Sequence, residues 1–322
     1  MDSLTQRMPF VTAFYRALGT GMVISVDSPI DDKVRSAMES LIEDYEHVLS
    51  RFRNDSLIAA IGKAEHGGSF DFPDWCAPLF DLYDALFSAT SGAIDPCVGE
   101  DLIRLGYDAS LSFTVTQDAP EHLGALRGRA VWGRDVTRHG TTLVTHEPVQ
   151  LDFGACGKGY LVDLLGRMLQ SSQFVIDAGG DLLIHAEQPI SVALEDPEDQ
   201  SHAIGIAHIA NGALCASAPS RRHWNVAVNE RTQIAIHHLL NAIDGLPAQQ
   251  TEASWAYIPA NATLNLARDY PAAVADGLAT ALFVSDATQL QRTFDFAYAT
   301  LNESRQIAAS RNFPAELFLR SA

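Results

Sequence analysis

Asp276 and Thr280 stand four residues apart, so a helix over that stretch sets a carboxylate and a hydroxyl on one face. The pair is a poor cage for calcium. It suits Mg²⁺, which keeps part of its water shell and takes further oxygens from substrate phosphates. Standing alone, two such residues are more often an exposed acid and a threonine bonded back to its own helix. A second set lies in residues 151–160, where Asp152, Gly154, Gly157, Lys158 and Gly159 crowd together. Glycines between a strand and a helix let backbone N–H groups approach an anion, the helix start favours negative charge, and Lys158 supplies a mobile countercharge. Neither named phosphate motif fits. A Walker A loop would require a glycine where Asp152 stands and a Ser or Thr where Gly159 stands, and the dinucleotide fingerprint has another glycine spacing. By spacing alone, a turn between core elements is an equal alternative. His237 and His238 close an apolar run, and strand alternation sends their rings to opposite faces. One of them is a candidate base, against the commoner case of a structural strand-end histidine.

The surrounding elements must position these groups. Val149, Leu151 and Phe153 alternate with Gln150 and Asp152, which predicts a strand; Leu161, Leu164, Leu165, Met168 and Leu169 predict an amphipathic helix after it. Residues 31–48, 79–90 and 272–284 carry the same helical period. Residues 22–26 after the turn at Leu18-Gly19, short segments within 112–145, and residues 174–177 continued by 182–184 past Gly179-Gly180-Asp181 read as strands, with more over 190–238. Asp95, before Pro96, is held out of the helical region, although a single Asp-Pro is usually only a turn. Phe52 sits in a polar, turn-like stretch, as a loop residue packed on the core or as a platform for a ring. Strand-rich segments interrupted by a few helices predict an α+β architecture over 1–322, with no internal repeat and no linker.

With 322 residues and 47% hydrophobic content, the chain can bury a substantial core. Its net charge of -18 excludes nonspecific binding to nucleic acid or to an anionic membrane, so an anionic ligand needs a local cationic or metal-lined pocket. The first ten residues lack a basic region followed by an apolar run, and no apolar stretch is long enough to span a bilayer. Cytoplasmic residence and no membrane insertion are the expectation. Cys76, Cys97, Cys156 and Cys215 form no C-x-x-C pair and read as reduced and mostly buried, with Cys156 potentially reactive inside the glycine loop.

Taken in order, Leu18-Gly19-Thr20, residues 50–56, Gly92 to Pro96, residues 151–160, Gly179-Gly180-Asp181, residues 238–245 and residues 275–281 resemble the FAD:protein FMN transferases, the ApbE-type flavin transferases. The resemblance runs along almost the whole chain. It implies a T-fold-like architecture of mixed or antiparallel sheets with packed helices and a FAD cleft, Mg²⁺ on the FAD pyrophosphate, and transfer of FMN to a threonine of an acceptor flavoprotein. By position, the metal falls to Asp276, Thr280 and the backbone carbonyl of Ala155. FAD contacts fall to Leu18, Phe52, Ala93, Ile94, Asp95, Asp152, Lys158 and Leu239, and the catalytic residues are Asp276 and His238, which matches the family's base. Leu18 stands where methionine is common, Ser217-Ala218 replaces Ser-Gly, Asn241-Ala242 replaces Asp-Pro, and Ala279 replaces an acid of some members. Two alternatives remain beside the transferase. One is a hydrolase splitting FAD into FMN and AMP at the same metal; the other is a flavin-binding protein without turnover, a reading kept open by Asn241-Ala242. Retention of the metal pair, the lysine and His238 favours the transferase.

Overall fold

Apolar alternation builds the central sheet. Along Thr20–Val26 the residues Met22, Ile24 and Val26 are buried while Gly21 and Val23 face outward. The computed structural model describes residues 4–229 and 232–318, so residues 1–3 of the N-terminal stretch, residues 230 and 231 within the stretch expected to hold strands, and residues 319–322 lie outside it. Among the described residues nine strands form one sheet, in the order Phe10–Ala17, Thr20–Val26, Phe174–Asp177, Asp181–Glu195, Ala203–Ser217, Thr251–Pro259, Ala297–Asn302 and Ile307–Ala309, with Ala315–Leu317 added along the early half of Ala203–Ser217. Every ladder in it is antiparallel. Adjacent residues feed different cores: Ile176 joins the helix-covered face with Ile24, Ala213 and Ala256, and Val175 joins the opposite face with Ile184, Leu214 and Trp255. A sheet covered on both faces reads as a continuous apolar run, as residues 174–176 do.

Three helices do most to position the candidate residues. Asp32–Leu49 begins where the Asp31 carboxylate accepts the Val34 N–H at 2.8 Å, and it buries Met38, Ile42, Tyr45 and Leu49. Gly157–Gly166 and Pro271–Ala281 pack side by side between it and the sheet, burying Leu161, Leu165, Ala275 and Leu278. Each fully buried leucine there contributes roughly 1.5–3 kcal/mol relative to an exposed one. The buried Asp163 carboxylate caps the later helix, accepting the N–H groups of Ala272 and Ala273 at 3.1 and 2.8 Å. Its burial pushes its pKa up to about 8.

The α+β expectation holds, with four corrections. Residues 149–153 form no ladder: Val149, Leu151 and Phe153 are buried in alternation, but the Asp152 N–H bonds Pro96 O at 2.7 Å instead of a neighbouring strand. Within residues 112–145 only Val136–His139 and Thr142–Thr145 are strands, paired with each other and with Gly68–Asp71, and the remainder is turns and short helices. Residues 182–184 do not continue residues 174–177. Gly179 and Gly180, at φ 72° and 112°, reverse the chain into a new antiparallel strand. The helix after the glycines starts at Gly157, so Lys158 and Gly159 lie in its first turn and not in a preceding loop.

Candidate active site

Close packing explains the glycines. A Cβ on Gly159 would lie 2.2 Å from Ala272 O, so only glycine lets the two helices meet backbone to backbone. Their contact is sealed by Asp276, whose Oδ2 accepts the Gly159 N–H at 3.0 Å, while Tyr45 Oη donates to Gly157 O at 2.7 Å. Asp276 is thus not the exposed helix-surface acid that helical spacing alone allows: it is 2% exposed. Burial and the neighbouring Asp181 carboxylate push its pKa well up, against the pull of Lys158.

Lys158 is not a mobile countercharge either. Its ammonium sits on Asp181 Oδ2 and stands 3.8 Å from Asp276 Oδ1. Burial pulls its pKa down, but the Asp181 and Asp276 carboxylates more than offset this and hold it raised. Asp181 is fully buried, and its Oδ1 has no hydrogen-bond partner among the described residues. One turn beyond Asp276, Thr280 Oγ1 donates to Ala155 O at 3.3 Å and lies 3.4 Å from Ser217 Oγ. Of the three expected metal-binding residues, Thr280 and Ala155 meet directly, and Asp276 lies one helical turn before Thr280; all three offer hard oxygen atoms, the donor type Mg²⁺ takes. No group of three or more His, Cys, Asp or Glu side chains that could hold a metal occurs among the described residues. Cys156 is fully buried and burial raises its thiol pKa further, which removes the reactivity its place in the loop suggested.

Phe52 and His238 flank Tyr107, and Asp152 is tied to it through Arg51. Phe52, 40% exposed, meets the Tyr107 ring edge-on at 5.4 Å. The Arg51 guanidinium lies 4.2 Å from the Phe52 centroid, pairs through Nε with Asp152 Oδ2, and donates through Nη1 to Tyr107 O at 2.5 Å. Tyr107 stacks on Trp224 at 5.8 Å, lies 6.3 Å from His238, and accepts a hydrogen bond from Arg222 at its hydroxyl. Leu18, at φ 52°, sits in a turn that Glu46 Oε1 holds by accepting the Leu18 N–H at 2.8 Å. Ala93 and Ile94 are buried, and Ala93 O accepts the Ala242 N–H at 3.0 Å, which brings residues 93–95 against the segment that carries Leu239. Asp95 is extended, as its place before proline requires, but its carboxylate points inward to Arg129 at 3.4 Å and caps Cys97 N at 2.8 Å. Burial raises its pKa against the pull of Arg129.

The two histidines differ in what they have left to offer. His237 Nε2 lies 2.9 Å from Ala248 O and must carry the proton, because a carbonyl only accepts; its Nδ1 takes the Leu239 N–H at 3.2 Å. Both nitrogens are committed. His238 Nδ1 lies 3.2 Å from Arg222 O and by the same reasoning is the protonated one, so Nε2 keeps the basic lone pair. Burial lowers its pKa to about 4, helped by the nearby Arg222, His237 and Lys158 charges, and keeps the ring neutral at pH 7.

Sequence reasoning assigns no role to Asp181, Arg51, Tyr107, Arg222 or Arg129. Asp181 alone has a local signal, since it follows Gly179-Gly180 at a strand start; the others meet partners distant in sequence, 34 residues for Arg129 with Asp95, 56 for Arg51 with Tyr107 and 115 for Arg222 with Tyr107.

The ApbE family profile matches residues 18–300. The FAD:protein FMN transferase of Treponema pallidum is 27% identical over 286 residues, 78% of this chain and 72% of that protein. The protein of the same name from Klebsiella pneumoniae is 22% identical over 236 residues, covering 70% of this chain and 66% of its own length. That from Rhodobacter capsulatus is 27% identical over 261 residues, with 46% of its length covered, so the chain spans under half of one relative and just under two thirds of another. Among solved structures, the ApbE protein of Thermotoga maritima superposes with TM-score 0.77 at 20% identity over 95% of this chain and 99% of that one. The flavin transferase ApbE of Vibrio cholerae gives 0.74 at 17% over 94% and 98%. These structural likenesses establish the fold.

Proposed function

The chain belongs to the ApbE family, and on that premise we propose that it transfers FMN from FAD to a threonine of an acceptor protein in a Mg²⁺-dependent reaction that releases AMP. The threonine Oγ attacks the FMN phosphorus, the bond from that phosphorus to the bridging pyrophosphate oxygen breaks, and AMP leaves with that oxygen. His238 Nε2 takes the threonine proton, a role that needs a neutral ring with a fixed tautomer. Asp276, Thr280 Oγ1 and Ala155 O would hold Mg²⁺, and the ion supplies positive charge against the pyrophosphate in a chain of net charge -18. Lys158 adds a fixed cation at the same place. Leu18, Phe52, the backbone of residues 93–95, Asp152 and Leu239 are the remaining FAD contacts in this reading, with Phe52 and Tyr107 offering ring faces.

The observation that carries the proposal is the meeting of Ala155, Lys158, Asp276 and Thr280, drawn from chain segments over a hundred residues apart, around hard oxygens. Four unpaired, buried cysteines support a reducing, cytoplasmic setting. Among the described residues, no helix is long and apolar enough to cross a membrane. The test is incubation with FAD, Mg²⁺ and a candidate acceptor, read by intact mass. The expected result is an acceptor heavier by one FMN moiety, abolished by EDTA. Release of FMN and AMP with no adduct would make the protein a hydrolase, and FAD bound without turnover would make it a binder.

A further inference from the structure

Asp181 sits at the first position of its strand, fixed by the Gly179-Gly180 reversal and by its carbonyl accepting the Ala178 N–H at 3.0 Å. With 0% exposure it has no solvent to turn toward. The Lys158 ammonium, on a flexible stem, lies between two buried carboxylates, in contact with one and 3.8 Å from the other. Without the Asp181 charge, the nearest anion for that ammonium is Asp276. An Asp276 closed into a buried ion pair is a poor ligand for a hydrated dication, which would have to displace the lysine. We infer that Asp181 is a positioning residue that anchors Lys158 away from Asp276 and so keeps the Asp276 carboxylate open to a divalent cation. The inference rests on Mg²⁺ binding as proposed for the transferase and adds a residue to which that proposal gives no role.

The experiment is Mn²⁺ binding in the absence of FAD, counted by the EPR signal of the free ion, for the full-length protein and four variants, with circular dichroism as a check on folding. Asp181→Asn should weaken Mn²⁺ binding roughly tenfold or more, the scale of losing a partner that orients a metal ligand. Asp181→Glu should retain it. Lys158→Met should bind Mn²⁺ at least as well as wild type, because the competing ammonium is gone. The double variant Asp181→Asn with Lys158→Met should recover what the single asparagine variant lost. Unchanged binding in Asp181→Asn overturns the inference, as does weaker binding in Lys158→Met. A double variant as weak as Asp181→Asn also overturns it, by making Asp181 a ligand in its own right. Should Asp181→Asn fail to fold, Lys158→Met still decides. Wild type that binds no Mn²⁺ removes the metal reading itself, an outcome distinct from the others.

Discussion

Two buried clusters in this protein have the same inventory, two carboxylates and one cation, and differ in how the cation reaches the carboxylates and how much of it stays exposed. In the first, Arg129 is fully enclosed between Asp95 and Asp101. Its Nη2 also donates to Ala242 O at 2.7 Å, while Asp95 takes Cys97 N and Asp101 takes Gly124 N, each at 2.8 Å. Arg129 Nε lies 2.8 Å from Asp101 Oδ2 as an ion pair, although neither atom has a hydrogen-bond partner among the described residues, so that oxygen is met by charge alone. The second cluster, Lys158 with Asp181 and Asp276, leaves Asp181 Oδ1 unpartnered among the described residues and Lys158 32% exposed. Arginine's planar fork can serve several acceptors at once, whereas an ammonium is a point charge. The first arrangement ties residues 93–95, 124 and 242 into one scaffold. The second leaves part of the lysine open to solvent and Asp181 Oδ1 without a hydrogen-bond partner among the described residues.

The sharpest way to break this contrast is Arg129→Met, which strands two buried carboxylates. Urea unfolding should show a loss of about 3–5 kcal/mol. A loss under about 1 kcal/mol would mean the scaffold does not depend on that cluster. Next, His238→Ala should lower the transfer rate by roughly two orders of magnitude, with FAD affinity changed far less. His237→Ala, whose ring nitrogens both bond backbone, should instead cost about 1–3 kcal/mol in unfolding and leave the rate nearly intact. The reverse pattern would assign the base to the other ring.

A smaller effect lies in pH. Burial raises Asp101 to about 6 from 3.8, so the folded state holds its proton more tightly; the cost of burying the charge is present above pH 6 and fades as pH falls toward 3.8. His238, lowered to about 4 from 6.5, acts oppositely, and stability is lost as pH falls from 6.5 toward 4. Denaturation midpoints between pH 6.5 and 4 should therefore fall more steeply for Asp101→Asn than for wild type, and less steeply for His238→Ala. Parallel slopes in all three proteins would remove both groups from the linkage. The smallest effect belongs to an exposed pair: Arg35→Met, removing the contact to Glu39 at side-chain exposures of 51% and 53%, should change stability by less than about 1 kcal/mol.

Local chemistry is legible in the sequence. The helix over residues 31–48 with its stripe of Met38, Ile42 and Tyr45, the buried alternation of Val149, Leu151 and Phe153, and the one-face pairing of Asp276 with Thr280 all come from period and residue type. Burial of Asp276 is not legible, because the group that encloses it is the backbone of Gly159, 117 residues earlier. Arg129 carries no signal at all, since its meaning depends on Asp95 and Asp101, and which acids an arginine meets is decided by tertiary packing. Lys158 shows its charge in the sequence but not its neighbour. Nothing in a glycine-rich loop discloses that a residue 23 positions later will hold the ammonium.

The backbone contact of Gly159 with Ala272 also sets when the site can come into being. It closes a loop of more than a hundred residues, the kind of non-local pairing that folding chains reach slowly. A chain still emerging from the ribosome has no Asp276 to receive the Gly159 amide, so the proposed metal-binding set does not exist in a half-made protein. A ligand that needs the completed set would raise the stability of the finished native state by mass action.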